Sequence, residues 1–467
     1  MPRNALTALP SPQQPAQLLA LPTDLLSRIV SQCDPVDIAR VAAVSLLLHE
    51  SVVEEGLHLR AQELGYELPP RLAVRSLCLV ALQREANLPA RVAAGSEHSV
   101  FINGEGRLFT CGKPESYLRG ILGHGGGVEQ LHVPTQIPSM LDGERAVSVD
   151  ASGGEHNLCI TTNGSLWSWG YGSLGCLGHG SRQCEPQPRR IDALAGHCVV
   201  ALSTAFMHSV AVTADGAVWS WGGGSGYKLG HGDRQCQLQP KKVETLAQKG
   251  LFVTAVAARG DKYTLAVTAD GAVWSWGIGQ MGYEQPPGDV SCDLTQPKRI
   301  EALDGQHVVA VTAGANHSLA LTAAGGVWSW GEGSGGKLGH GDERSQPQPK
   351  RIEALAGHRV VAVSAGSHHC LAVTAGGAVW SWGGNRRNCE LGAAGCLGHG
   401  TSQNQLLPKK IEALAGRRVV AVSAGGSHSL AISDDGAVWS WGDRYAMGHG
   451  VGEERVLQPK KIEQWTS

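Results

Sequence analysis

Twelve of the 19 histidines recur at two fixed places. His98, His156, His208, His317, His369 and His428 close a short turn. His124, His179, His231, His340, His399 and His449 sit in Leu-Gly-His-Gly or its Met-Gly-His-Gly variant. Histidines in such number could hold zinc, but zinc needs its ligands about 2.1 Å from one ion. Residues that recur once per repeat are spread around a wide ring, so turn hydrogen bonding is expected and no metal site. Gly222-Gly-Gly-Ser-Gly226 has the glycine content of a phosphate cradle, but neither Lys-Ser/Thr nor a helix pattern follows it, which leaves a loop. A basic pair also recurs: Arg189-Arg190, Lys241-Lys242, Lys298-Arg299, Lys350-Arg351, Lys409-Lys410 and Lys460-Lys461, each followed two positions on by an acid. Local pairing on an exposed edge strand is the expected role, since such lysines also block unwanted strand pairing. Nucleophile elbow, P-loop, dinucleotide fingerprint and zinc motif are all missing from the sequence. No catalytic residue and no cofactor is therefore expected, and the chain reads as a non-enzyme.

The elements that carry these residues are copies of one repeat. Trp-Ser-Trp-Gly supplies the pairs Trp167 and Trp169, Trp219 and Trp221, Trp274 and Trp276, Trp328 and Trp330, Trp380 and Trp382, and Trp439 and Trp441. These are 12 of the 13 tryptophans, the other being Trp465. A degenerate copy, Phe109-Thr-Cys111-Gly112, comes first, and the spacings between first members are 58, 52, 55, 54, 52 and 59. A period near 50 marks a solenoid or a propeller. Within a copy, two apolar stretches flank Asn163-Gly164, Asp215-Gly216 or Asp270-Gly271, which predict hairpins with primed turns. Four short β segments per copy, without helical period, predict a blade, and seven copies predict an all-β seven-bladed propeller. Side chains at i and i+2 of a strand share a face. Both tryptophans of a pair, Trp328 among them, are therefore expected to fill the wedge between blades. Leu397 is expected to anchor its Gly-rich loop in the core. If the last strand of each repeat packs into the next blade, Pro459–Trp465 completes the first blade.

Composition narrows the function. Glycine is 63 of 467 residues, roughly twice its usual share of about 7%. Net charge is −2 and no basic tail is present, so no nucleic-acid partner is expected. No apolar run reaches the roughly 18 residues of a membrane span, and residues 1–14 lack the apolar core of a secretory signal. Twelve scattered cysteines without a Cys-x-x-Cys pair are expected to be reduced thiols. The expected location is intracellular, cytoplasmic or nuclear.

Gly425-x-x-His428-Ser429, Trp439-Ser-Trp441-Gly442 and Leu-Gly-His-Gly, recurring in that order, resemble the regulator of chromosome condensation repeat family from about Leu88 onward. The resemblance implies a seven-bladed propeller over 88–467 and, as an alternative function, guanine-nucleotide exchange on a Ran-like small GTPase. Plant ultraviolet-B photoreceptors share this propeller but carry Trp inside their Gly-x-x-His turns. Here those places are Ser96, Gly154, Phe206, Ala315, Ser367 and Gly426, so light sensing is not expected. The fourth copy departs, with Tyr263 in the histidine's place and Met281-Gly282-Tyr283 near the missing Leu-Gly-His-Gly, and an altered loop is expected there.

Residues 1–17 are rich in Pro and Gln and are expected to be disordered. Residues 18–87 read as a small α-helical domain, with Leu25, Leu26, Ile29 and Val30 at helical spacing. Leu21-Pro22-x-x-Leu25-Leu26-x-x-Ile29, with Pro35 and Ile38 beyond, resembles an F-box. That resemblance implies that these residues bind the Skp adaptor of cullin–RING ubiquitin ligases. The chain has Ser45 and Leu48 where F-boxes often place Cys and Trp. The expected function is a non-enzymatic scaffold that recruits a protein client, held by the propeller, to a ubiquitin ligase.

Overall fold

The computed structural model describes Leu57, Leu59 and residues 92–467, apart from 114–119, 139–141, 280, 284–292, 385–394, 444–445, 452–454, 464 and 466–467. The chain divides into two compact units, Met1–Glu85 and Ala86–Ser467. Leu21, Pro22, Leu25, Leu26, Ile29, Pro35 and Ile38 lie outside the described residues, as does the expected disorder of 1–17.

The second unit is built from seven four-stranded antiparallel sheets, each a meander in chain order. Blades 1 to 7 span residues 92–136, 146–190, 199–242, 253–299, 308–351, 360–410 and 419–461. The first strands touch one another in succession, and Val419–Ala424 of blade 7 touches Val92–Ala94 of blade 1, which closes the circle. The second unit is therefore a seven-bladed all-β propeller with its first strands around the axis.

Burial follows from that arrangement. A second strand such as His428–Ser433 is buried at all six positions, because a blade packs against each of its faces. It accordingly reads as small and aliphatic residues without polar alternation. A fourth strand such as Gln346–Arg351 is at the rim and buries only Pro349. After it a short 3-10 turn, Glu353–Leu355, tucks Leu355 inward beside Ile352. One connection is instead a short α-helix, Glu244–Gln248, between blades 3 and 4.

Two expectations are corrected here. The Asp-Gly hairpins are not primed turns. Gly216 has φ +77 while Asp215 stays out of the left-handed region. Gly216 N–H donates to Thr213 C=O at 2.8 Å and Thr213 N–H to Ala217 C=O at 3.0 Å. That is a type I turn closed by a left-handed glycine, the usual three-residue hairpin. Nor does the last strand cross to the next blade. Arg455–Lys461 pairs with Val438–Asp443 of its own blade, since each repeat begins on the innermost strand and completes its own meander.

The two ends of the propeller meet through side chains instead. Trp465 packs on Phe101 and Phe109 of blade 1, with ring centroids 5.5 and 5.3 Å apart. Val438 and Ile462 of the last repeat share a cluster with Val92, Ala94 and Phe101. Ser99 Oγ donates to the Ala446 carbonyl at 2.7 Å.

Candidate functional site

The repeated tryptophans divide into two kinds. Trp169, Trp221, Trp276, Trp330, Trp382 and Trp441 are fully buried. Trp382 lies among Leu319, Leu321, Val327 and Ile352 of the preceding blade, so the expected wedge filling holds for it. Its Nε1–H donates to the Lys337 carbonyl of that blade at 3.0 Å, and Trp441 likewise donates to Cys396 at 2.7 Å. The first members are less enclosed. Trp167 is buried, but Trp219, Trp274, Trp328, Trp380 and Trp439 are only half-buried. Placing Trp328 in the core is thus corrected: it borders the cluster that Trp330 fills. The two rings share a strand face but stand at different depths, the first nearer the hairpin-turn end. Several first members are capped by a connector residue: His197 on Trp219 at 5.0 Å, His358 on Trp380 at 4.8 Å, Arg417 on Trp439 at 5.5 Å.

The first set of histidines does not keep to its turns. Each imidazole reaches across a blade boundary to the second strand of the next blade. His98 meets Asn157 at 2.7 Å, His156 meets Ser209 at 2.6 Å, and His208 meets Thr264 at 3.1 Å. His317 meets Cys370 at 3.0 Å, His369 meets Ser429 at 2.8 Å, and His428 meets Ser99 at 2.9 Å, joining blade 7 to blade 1. Ser429 Oγ already donates to the Cys396 carbonyl at 2.8 Å, so His369 Nε2 must be the protonated nitrogen. Burial drives these imidazoles toward the neutral form, His98 to about 4 and His156, His369 and His428 to about 3, with His208 and His317 also well below 6.5. The turn glycine lies tight against this contact, although blade 3 has Ala205 at that place and His208 still reaches Thr264. A Cβ at Gly366 would lie 2.8 Å from His369 Cε1, and one at Gly314 2.2 Å from His317 Cε1.

The second set stays within its own blade, as expected of turn histidines. Ser381 Oγ donates to the Leu397 carbonyl at 2.7 Å and meets His399 Nε2 at 2.8 Å, and Leu397 is buried. Blade 4 departs in sequence yet keeps both contacts. Tyr263 Oη meets Ser318 Oγ of blade 5 at 2.8 Å, and Ser275 Oγ donates to the Met281 carbonyl at 2.9 Å and lies 3.1 Å from Tyr283 Oη, whose own proton goes to the Lys298 carbonyl. Part of the altered loop, 284–292, is outside the described residues.

Among the described residues three buried cations escaped the sequence reading: Lys228 and Lys337, which pair with Asp261 and Glu332, and Arg259. Arg259 is 5% exposed and sends Nη1 across the axis to the carbonyls of Ala424, at 2.7 Å, and Ala365, at 3.3 Å. Burial lowers its pKa only to about 10, so it stays charged at neutral pH. The available signal was its place before a turn glycine, where other repeats have Ala94, Ala313, Ala365 and Ala424.

The exposed surface offers two faces. The Gly-x-x-His end displays Phe206, 41% exposed. The hairpin-turn end displays the basic pairs, whose second members stand opposite the first tryptophans, as Lys242 does Trp219 and Arg351 does Trp328. Some pair locally, Lys410 with Glu412 at 3.3 Å and Arg299 with Asp304 at 2.9 Å. Among the described residues no group of three His, Cys, Asp or Glu is placed to hold a metal ion. The described cysteines are free thiols.

A closed ring sewn at its blade boundaries by imidazole–hydroxyl and indole–carbonyl bonds defines a repeat propeller whose exposed loops meet other molecules. The regulator of chromosome condensation (RCC1) repeat model matches residues 163–212, 215–267, 270–321, 324–373 and 376–432, more than half of the chain, and the chain belongs to that family. It is 37% identical over 341 residues to the E3 ubiquitin-protein ligase HERC2 of Homo sapiens, covering 73% of this chain and 7% of that protein. It is 34% identical over 299 residues to the ultraviolet-B receptor UVR8 of Arabidopsis thaliana, covering 64% of this chain and 65% of the receptor. The fold matches yeast RCC1 (Prp20), solved bound to Kap60, with TM-score 0.66, 24% identity, 82% of this chain and 87% of that one. These relatives support a protein-interaction or regulatory role.

Proposed function

We propose that the chain is a non-enzymatic adaptor that brings a protein client to a cullin–RING ubiquitin ligase. The observation that carries the propeller half of this reading is where the polar groups go. Nε2 of each recurrent histidine and the indole N–H of most second tryptophans are consumed by blade-to-blade or within-blade bonds, which leaves variable loops at two ends of a rigid ring. Such scaffolds bind through loops. The adaptor half rests on Leu21, Pro22, Leu25, Leu26, Ile29, Pro35 and Ile38 and their likeness to an F-box. A helix-in-groove contact with Skp needs a few apolar anchors of that kind. The propeller-only match to a ubiquitin ligase is consistent with this use of the fold. The second reading, exchange on a Ran-like GTPase, is favoured by the fold shared with yeast RCC1 alone, and fold does not carry function. Affinity purification of the full chain beside a form lacking residues 1–87 tests the adaptor reading. Skp and cullin should be recovered with the first and lost with the second; their absence from both would refute it.

A further inference from the structure

The repeats differ from one another at the hairpin-turn end, and the difference leaves a hole. In blades 3, 4 and 7 the turn carries Asp215, Asp270 or Asp435. Each carboxylate accepts from the nearby hydroxyl, Thr213 at 2.5 Å, Thr268 at 2.5 Å and Ser433 at 2.6 Å. Asp270 and Asp435 are held below the usual carboxylate range by those hydroxyls and, less strongly, by Arg299 and Lys461 of the fourth strand. In these blades a carboxylate of the same repeat thus lies within electrostatic reach of the second member of the basic pair, without an ion pair between them.

Blade 5 has Ala324 at that turn position. Its basic residue, Arg351, keeps its place but has lost the carboxylate. The residue beside the turn glycine has changed as well. It is Phe252 next to Gly216 and His307 next to Gly271, but Arg359 next to Gly325; blade 6, where Gly376 also stands in the aspartate's place, likewise sets Arg418 next to Gly377 and turns Arg417 onto Trp439. The result in blade 5 is a cleft of about 230 Å³ whose rim carries the cations Arg351 and Arg359 beside His358 and whose floor includes Val327, Ile352 and Leu355. None of its lining residues is acidic. Among the described residues neither arginine makes an ion pair. Glu353, on the following 3-10 turn, is exposed and outside the lining. The volume is below the 300–1,000 Å³ of small-molecule pockets, which fits a side chain rather than a free metabolite.

We propose that this cleft binds an acidic side chain of a protein partner, the carboxylate taking the place that the turn aspartate holds in blades 3, 4 and 7. Paired guanidinium groups suit a carboxylate, which they bind bidentately, and the apolar floor suits the methylenes of a glutamate. The proposal rests on the reading of the propeller as the client-binding part of the chain and is independent of Skp.

Calorimetric titration of the full chain with hexaglutamate, and with hexaglutamine as control, tests it. Hexaglutamate should bind, hexaglutamine should not, and raised salt should weaken the binding. Arg351→Ala with Arg359→Ala should weaken it by about tenfold or more. Ala324→Asp, which restores the carboxylate of the sister blades and so should fold normally, should weaken it similarly, while Lys241→Ala on blade 3 should not. Hexaglutamate binding no better than hexaglutamine, or unchanged in both the double arginine variant and Ala324→Asp, would overturn the proposal. Failure to bind Skp would leave this result untouched, and failure here would leave Skp binding untouched.

Discussion

At the scale of single residues, depth decides cost. Trp382 is enclosed by the preceding blade and donates to a carbonyl there, whereas Trp380 is half-buried and capped by His358. Trp382→Ala should cost about 3–5 kcal/mol and Trp380→Ala about 1–2 kcal/mol. Denaturant melts of the two variants measure this, and equal losses would contradict the division. The buried histidines make a second expectation. Their ordinary pKa of 6.5 applies when the chain is unfolded, but burial holds His98 to about 4 and His156, His369 and His428 to about 3 when it is folded. Between those values the unfolded chain binds protons that the folded chain refuses. Stability is therefore retained above about pH 6.5 and lost as pH falls toward 4, by up to about 1.4 kcal/mol per pH unit per histidine. Chemical unfolding followed from neutral to acid pH should show a falling midpoint; a flat profile down to about pH 4 would show that the imidazoles protonate in place.

At the scale of elements, turns and blade boundaries act together. In Gly366-x-x-His369 the glycine makes room for the imidazole that bonds Ser429. A Cβ there would also meet the Gly425 carbonyl at 2.7 Å, so Gly366→Ala should strain the bond, as blade 3 tolerates with Ala205, and cost about 1–3 kcal/mol, a penalty that should not fully add to that of Ser429→Ala. A double-mutant cycle by thermal melting checks this, and full additivity would separate the glycine from the bond. The period of the repeat, the paired tryptophans and the glycine turns were readable because they are local and recur. What was not readable is relational. Trp380 and Trp382 look alike in sequence, since only the neighbouring blade distinguishes their depth. The histidine partners lie 53 to 60 residues away for His156, His317 and His369, beyond any local pattern. The tyrosines of blade 4 read as a departure, yet Tyr263 and Tyr283 stand against the same two serine positions that histidine meets elsewhere. The cleft of blade 5 is a difference between blades at one shared turn, which no single repeat displays.

At the scale of the whole molecule, ring closure is a side-chain event. The strand Arg455–Lys461 completes blade 7, and Trp465 then covers Phe101 and Phe109 of blade 1. Truncation after Arg455 should remove both and cost the propeller its single cooperative unfolding transition, because closure also protects free sheet edges. An unchanged calorimetric melt would show that the ring holds without them. The rigid propeller and the F-box-like segment divide the labour in the proposed adaptor. The direct measurement is made on Leu25→Asp with Leu26→Asp in the full chain, read for Skp binding, for nucleotide release from a Ran-like GTPase and for the propeller melt. An unpartnered interfacial charge is costly, so Skp binding should be abolished and the melt unchanged. Wild-type chain that never binds Skp, or a double variant that binds it as before, would contradict the adaptor, and nucleotide release that persists in both would then favour an exchange factor.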